Sequence, residues 1–297
     1  MKNTGQIFSL TGILLMVFWI TGAIAGEGER IVITDVGFST PESVEYAVAE
    51  DVYLVSNING NSAAADGNGF ISKLRPDATV LALKWLDGSK EGVTLNAPKG
   101  MAMTGTGKYL FVADLNQVQV FVLPAGEQKG SITIQGSTFL NGATPGPDGS
   151  VYVTDTGFAG GREPSGTDAV YQVWADGRYK AVLQDEGMGH PNGIWQNKGR
   201  LIVNTLGSGE LFSLDSSGQR VNLPQPPTGG LDGLVGLDDG RLVVSSWAGS
   251  VIYALQDRKF TVLADGLTSP ADLGVDTKRH RLLVPLFKEN KVVILPY

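Results

Sequence analysis

A short unit recurs along this chain and limits what it can fold into. The unit opens on Pro or Leu, continues with a polar residue, usually a Gly and then an apolar residue, and leads about ten residues later into an apolar run. The copies read Pro41-Glu42-Ser43-Val44, Pro98-Lys99-Gly100-Met101, Leu140-Asn141-Gly142-Ala143, Pro191-Asn192-Gly193-Ile194, Leu231-Asp232-Gly233-Leu234 and Pro270-Ala271-Asp272-Leu273. Their second positions lie 57, 42, 51, 40 and 39 residues apart. Strand-like runs fill the spaces, joined by hairpin signals such as Pro147-Asp148-Gly149, Asp176-Gly177 and Asp239-Gly240. A period near forty residues built only of strands is what four-stranded propeller blades produce. The expectation is therefore an all-β, six-bladed β-propeller. Ile31-Val32-Ile33-Thr34 precedes the first copy, and the last copy reaches Tyr297 one strand short. An N-terminal strand completing the last blade would close the ring and remove its free edges.

Composition agrees with one such domain over residues 26–297. Forty Gly and 14 Pro beside a hydrophobic fraction of 42% suit many short strands and tight turns, not disorder. The absence of Cys excludes disulfides, thiolate catalysis, zinc–thiolate sites and lipid attachment through Cys. Residues 1–25 read as a secretory signal peptide: Lys2, an apolar run from Ile7 to Ile20, then Ala23-Ile24-Ala25 as a small-residue cleavage site. The run is too short, and too interrupted by Ser9, Thr11 and Gly12, for a membrane anchor. Export without cysteines points to a bacterial periplasmic or secreted protein. Cleavage removes Lys2 and takes the net charge from −7 to −8. Such a chain has no net field for nucleic acid, and no membrane association is expected once the signal is removed.

In an antiparallel blade, the start of the inner strand and the end of the second strand share one face. The second positions of the repeat should therefore ring the channel mouth: Glu42, Lys99, Asn141, Asn192, Asp232 and Ala271. A wider ring should hold Asn57, Asp114, Asp155, Asn204 or Thr205, Ser246-Trp247 and Leu286-Phe287. The third-position Gly has an architectural reading, close packing of inner strands at the axis. The polar residue beside it varies and has none. Two carboxylates with amide oxygens form an all-oxygen set suited to a hard cation. The competing reading is a water-wetted polar cap in which Lys99 neutralises Glu42 or Asp232.

The placement of Glu42, Asn141, Asn192 in Pro-Asn-Gly-Ile and Asp232 in Leu-Asp-Gly-Leu resembles the SMP-30/gluconolactonase family of six-bladed propellers, blade for blade over the mature chain. The resemblance implies one divalent cation on the propeller axis, held by Glu42, Asn192 and Asp232. Calcium is the expected ion, with magnesium, manganese or zinc as alternatives. It further implies that Asn141 faces a small-molecule substrate, that Asp232 is the catalytic base, and that the reaction is hydrolysis of a lactone or related ester. A metal-polarised carbonyl and a carboxylate base suit that chemistry. No Ser–His–Asp set competes, since the only histidines are His190 and His280, the latter in a basic turn. The sugar-lactone members carry an Arg two residues before the third-blade Asn and an Asp after it. Phe139 and Gly142 stand there instead, so a more apolar ligand is expected.

Lys99 is a candidate either to bind an anionic substrate group or to take over the role of the ion, and Trp247 is a candidate substrate contact beside Phe287 and Phe158. The Gly157–Thr167 segment is the candidate lid. The alternative function is a non-catalytic propeller that binds a ligand or partner protein on the same face.

Overall fold

The computed structural model describes Met1 and residues 29–297, apart from Gly161 and Ser216. The signal peptide expected over residues 1–25 lies, beyond Met1, outside the described residues. Six four-stranded antiparallel sheets succeed one another along the chain. From inner to outer strand, blade one is Pro41–Ala47, Val52–Asn57, Phe70–Leu74 and Val80–Asp87. Blade two is Pro98–Met103, Tyr109–Asp114, Gln117–Val122 and Glu127–Thr133. Blade three is Leu140–Pro145, Ser150–Asp155, Ala169–Trp174 and Tyr179–Gln184, and blade four is Pro191–Asn197, Arg200–Thr205, Leu211–Leu214 and Arg220–Asn222. Blade five is Leu231–Gly236, Leu242–Ser246, Val251–Gln256 and Lys259–Ala264. Blade six is Gly274–Asp276, Arg281–Leu286 and Lys291–Pro296, and its fourth strand is Ile31–Ile33 from the other end of the chain. Ile31, Val32 and Ile33 face Ile294, Val293 and Val292, so the expected closure is present. No helix among the described residues is long and apolar enough to cross a membrane.

The apolar runs are continuous in the inner strands because both faces of each blade are covered. The core divides into six clusters, one between each pair of neighbouring blades. Val44, Tyr53 and Val55 of blade one, for example, pack on Leu283, Val292 and Ile294 of blade six. Outer strands lose that cover on one side. Blade two shows the consequence, since its outer strand Glu127–Thr133 has Ile132 as its one fully buried residue.

The recurring unit has a mechanical explanation. In blades one to five the register of the inner strand slips between the first and fourth residues of the unit. A bulge of this kind leaves the third residue's N–H off the ladder. The second strand answers with a side chain: Ser43, Gly142, Gly193 and Gly233 donate to Ser56 Oγ (2.9 Å), Thr154 Oγ1 (2.9 Å), Asn204 Oδ1 (2.8 Å) and Ser245 Oγ (2.7 Å). Three of those side chains then bond the next blade, Thr154 to Asn192 O, Asn204 to Asp232 O and Ser245 to Ala271 O, at 2.7–3.0 Å. The third-position Gly is required by proximity. A Cβ on Gly142 or Gly193 would sit 2.3 or 2.1 Å from the carbonyl oxygen of Asn192 or Asp232.

Candidate functional site at the channel mouth

The bulge that settles the third residue turns the second residue towards the axis. Glu42, Lys99, Asn141, Asn192 and Asp232 are all at most 5% exposed and line one cavity that opens to solvent. Five of the six residues expected in the ring are therefore together. Ala271 is buried but does not line the cavity. Trp247, Phe287 and Phe158 line it as well, joined by Phe139 and Arg162. Trp195 instead packs between blades four and five. Asp114 and Asp155, in the wider ring, are spent on backbone: Asp114 accepts from Asn96 and Ala97 N–H, Asp155 from Thr138, Phe139 and Gly157 N–H.

Several polar atoms of this cavity are buried without a hydrogen-bond partner: Glu42 Oε2, Asn141 Oδ1, Asp232 Oδ1 and Trp247 Nε1. Unsatisfied buried oxygens cost about 1–3 kcal/mol each, so three around one cavity point to a ligand that satisfies them. The orientation of Asn141 follows from its neighbour. Thr156 Oγ1 donates to Pro191 O at 2.8 Å and must therefore accept from Asn141 Nδ2, at 3.0 Å. That leaves the amide oxygen of Asn141 for the cavity. Asn192 turns its nitrogen to Leu231 O at 3.4 Å. The exposed donor set is thus oxygen, two carboxylates with amides. No group of three His, Cys, Asp or Glu side chains is placed to hold a metal ion among the described residues, so any cation here would draw part of its shell from the amides and from water or substrate.

Sequence reasoning missed one member of the cluster. Asp272 follows Ala271 and occupies the position where four other blades have Gly. It pairs with Ser43, whose Oγ donates to Asp272 Oδ2 at 2.8 Å, and its own N–H donates to Glu42 O at 2.8 Å. An acidic residue at a position otherwise given to Gly was the available signal. The charges interact strongly. Burial, then the carboxylates of Asp232 and Asp272, push the Glu42 carboxyl well above its ordinary range, with Lys99 opposing. Burial and then Asp272 raise Asp232, against weaker stabilisation from Trp247, Arg162 and Asn192. Trp247 Nε1 faces this carboxylate without reaching hydrogen-bond geometry. Asp272 is pushed up to about 7 by burial, with the Ser43 hydroxyl and Leu273 N–H opposing. Clustered carboxylates of this kind accept a cation readily, because it removes their mutual repulsion.

Lys99 does not neutralise the ring by ion pairing. Among the described residues no carboxylate lies within the 4.0 Å of an ion pair with it, and its Nζ donates to Ala97 O at 3.0 Å and sits 4.3 Å from the Phe139 ring centroid. Burial lowers its ammonium to about 8, with Asp114 and Glu42 opposing. The expected lid contains a short hairpin, Phe158–Ala159 with Glu163–Pro164. Its Phe158 stacks at 4.6 Å on His190, and Arg162 lies 5.6 Å from the ring of Trp247 in blade five. His190 is held by Thr156 O (2.9 Å) and Asp168 (3.3 Å), and is absent from the cavity lining. His280 is mostly exposed, beside Asp238.

No protein-family model matches the chain, and no curated protein matches it by sequence. Solved structures do. A gluconolactonase from Xanthomonas campestris is similar with a TM-score of 0.70 at 17% identity, covering 90% of this chain and 89% of its own. A protein provisionally assigned as a gluconolactonase is similar at 0.68 and 18% identity, covering 90% and 91%. Streptogramin B lyase is similar at 0.61 and 10% identity, covering 90% and 97%. The likeness read from the repeat therefore holds at the level of the fold: the chain is a six-bladed propeller of the kind gluconolactonases use.

Proposed function

We propose that the protein is an exported, divalent-metal-dependent hydrolase of lactones or related esters, with its site at the channel mouth. The observation that carries this reading is the set of unpartnered buried oxygens of Glu42, Asn141 and Asp232 around one cavity. Glu42, Asn192 and Asp232 would hold the cation, and an all-oxygen set favours calcium over softer ions. When bound, the ion would supply Lewis acidity to the acyl oxygen of the substrate. The chain's own residues provide the rest. Asp232 accepts the proton of the attacking water at its carboxylate, and returns it to the departing oxygen. Asn141, fixed by Thr156, orients the substrate through its amide oxygen. The aromatic rings of Phe139, Phe158, Trp247 and Phe287 exclude water from the acyl group and match an apolar lactone better than a sugar lactone. The family resemblance of the motif and the gluconolactonase fold support the same reading, and the leader-like residues 1–25 support export.

Calorimetric titration of chelator-stripped protein with calcium, followed by hydrolysis of a lactone panel with and without the ion, tests it. Binding near one ion per chain and ion-dependent turnover are expected. No binding of calcium, magnesium, manganese or zinc would overturn the metal assignment. Metal binding without turnover on the panel would favour a non-catalytic binding propeller.

A further inference from the structure

With roles given to the oxygen ring and to the aromatic wall, two cations in the same cavity have none. Lys99 is 1% exposed, and of its three N–H donors one reaches a neutral carbonyl, that of Ala97. An ammonium buried without a paired anion is costly. The carboxylate that acts on it most strongly, Asp114, already receives Asn96 and Ala97 N–H and the side-chain amides of Asn96 and Gln119. Arg162 lines the cavity from the blade-three hairpin, with its guanidinium on the Trp247 ring, and forms no ion pair with any described carboxylate. Glu42 and Asp232 face the same space, but in the reading above they neutralise a divalent ion. Asp272 below them is engaged with Ser43. The charge left facing the substrate is positive. The surface around it is apolar, with Phe139 packed edge-on to Phe158 and Trp247 tilted against Phe287.

We propose that the cavity takes an aryl or similarly apolar lactone or ester that carries a separate carboxylate, and that Lys99 is the residue that binds that carboxylate, with Arg162 as a second cation at the mouth. The lactone part of this assignment rests on the hydrolase reading; the anionic, apolar part rests on the cavity alone. The reaction is ordinary hydrolysis. The water oxygen bonds to the acyl carbon, the acyl C–O bond breaks, one water proton passes to the departing oxygen and the other is lost as the new carboxyl ionises; a lactone gives one hydroxy acid with two carboxylates, an ester an alcohol and an acid.

The test compares phenylacetate with phenylacetamide, two ligands of nearly equal shape, by calorimetry on the calcium-loaded protein. The acid should bind at least about tenfold more tightly, as expected for a charge-assisted hydrogen bond in a buried site. Lys99→Met should abolish that preference, so that acid and amide bind alike. Equal binding of acid and amide by the unaltered protein, which requires no variant to fold, would overturn the proposal. So would a Lys99→Met protein with native melting behaviour that keeps the preference, since the carboxylate would then lie on the cation. Turnover of phthalide and 5-carboxyphthalide separates the two readings. Lys99-dependent phenylacetate binding with neither lactone hydrolysed leaves this inference standing without the hydrolase. Hydrolysis of both lactones at equal kcat/KM, with no acid preference in binding, does the reverse.

Discussion

Two adjacent residues in each repeat have opposite fates. The third position forms a layer that is nearly the same in every blade: Gly100, Gly142, Gly193 and Gly233 lie against the next inner strand, and in blades three to five the second strand bonds both their N–H groups and the neighbouring blade. The second position differs from blade to blade, and its side chains leave oxygens unpartnered in the cavity. The difference teaches where stability and chemistry separate. A repeated residue with satisfied bonds answers to the ring, and a varying residue with unsatisfied atoms answers to a ligand. Changes in one layer should leave the other's property largely alone.

The largest expected effect belongs to the second position. Asp232→Asn should lower kcat on any accepted lactone by about 10²–10⁴, the range for loss of a general base. It should not lower the melting temperature of the cation-free protein, because it removes a buried charge repelled by Asp272. A variant that loses activity only in proportion to lost folded protein would erase the distinction between the layers. Next is the converse. Gly193→Ala puts a Cβ 2.1 Å from Asp232 O, a backbone atom that cannot swing aside. A cost of about 3 kcal/mol, at the upper end for overpacking, is expected in denaturant unfolding. Asn192→Ala, one residue earlier, should cost less than half of that and instead weaken calcium binding.

The third effect is a pH dependence. Asp272 rises from 3.8 to about 7 through burial, and Glu42 and Asp232 rise with it. A carboxyl raised in the folded state contributes stability that is full below its unfolded value and is lost as pH rises through its folded one. Cation-free protein should therefore melt higher at pH 5 than at pH 8, by about 3 °C or more, the shift that roughly 1 kcal/mol produces in a chain of this size. Saturating calcium should shrink or reverse the difference, because the ion favours the ionised carboxylates that low pH protonates. An unchanged melting point between pH 5 and 8 without calcium would mean that the three groups are not buried together as described.

The two layers were not equally legible in the sequence. The blade period, the six-fold count and the closing strand could be read because the Gly and apolar positions serve a geometry that repeats. The outer strand Glu127–Thr133 was less visible, since Glu127 and Lys129 are exposed, Gln128 is half-buried, and the three carry no apolar pattern. Glu42, Asn141, Asn192 and Asp232 could be picked out as the varying members of a regular series. Asp272 was passed over because the series was indexed on Ala271, and Arg162 because a loop has no period to index. Thr156, which fixes the amide of Asn141, is visible only when two hydrogen bonds are traced together.

The smallest effect tests the third-position layer by repair. Blade two alone among blades one to five lacks a polar side chain at this place in its second strand, because Ala113 stands where Ser56, Thr154, Asn204 and Ser245 stand in the others. Ala113 is fully buried, and a Cβ at the facing Gly100 would meet Asn141 O at 2.4 Å, so blades two and three approach as closely as the stitched pairs. A hydroxyl at position 113 would have Gly100 N–H to accept from and Asn141 O to donate to, matching Thr154 between Gly142 and Asn192. Ala113→Ser should therefore raise unfolding stability by up to about 1 kcal/mol, the net worth of a hydrogen bond that is completed on both sides. Its effect on calcium affinity should be nil, because Asn141 engages through its backbone oxygen here and through its side chain in the cavity. A destabilised Ala113→Ser protein would show that blade two is closed too tightly for the hydroxyl, and that its Ala is selected by packing alone.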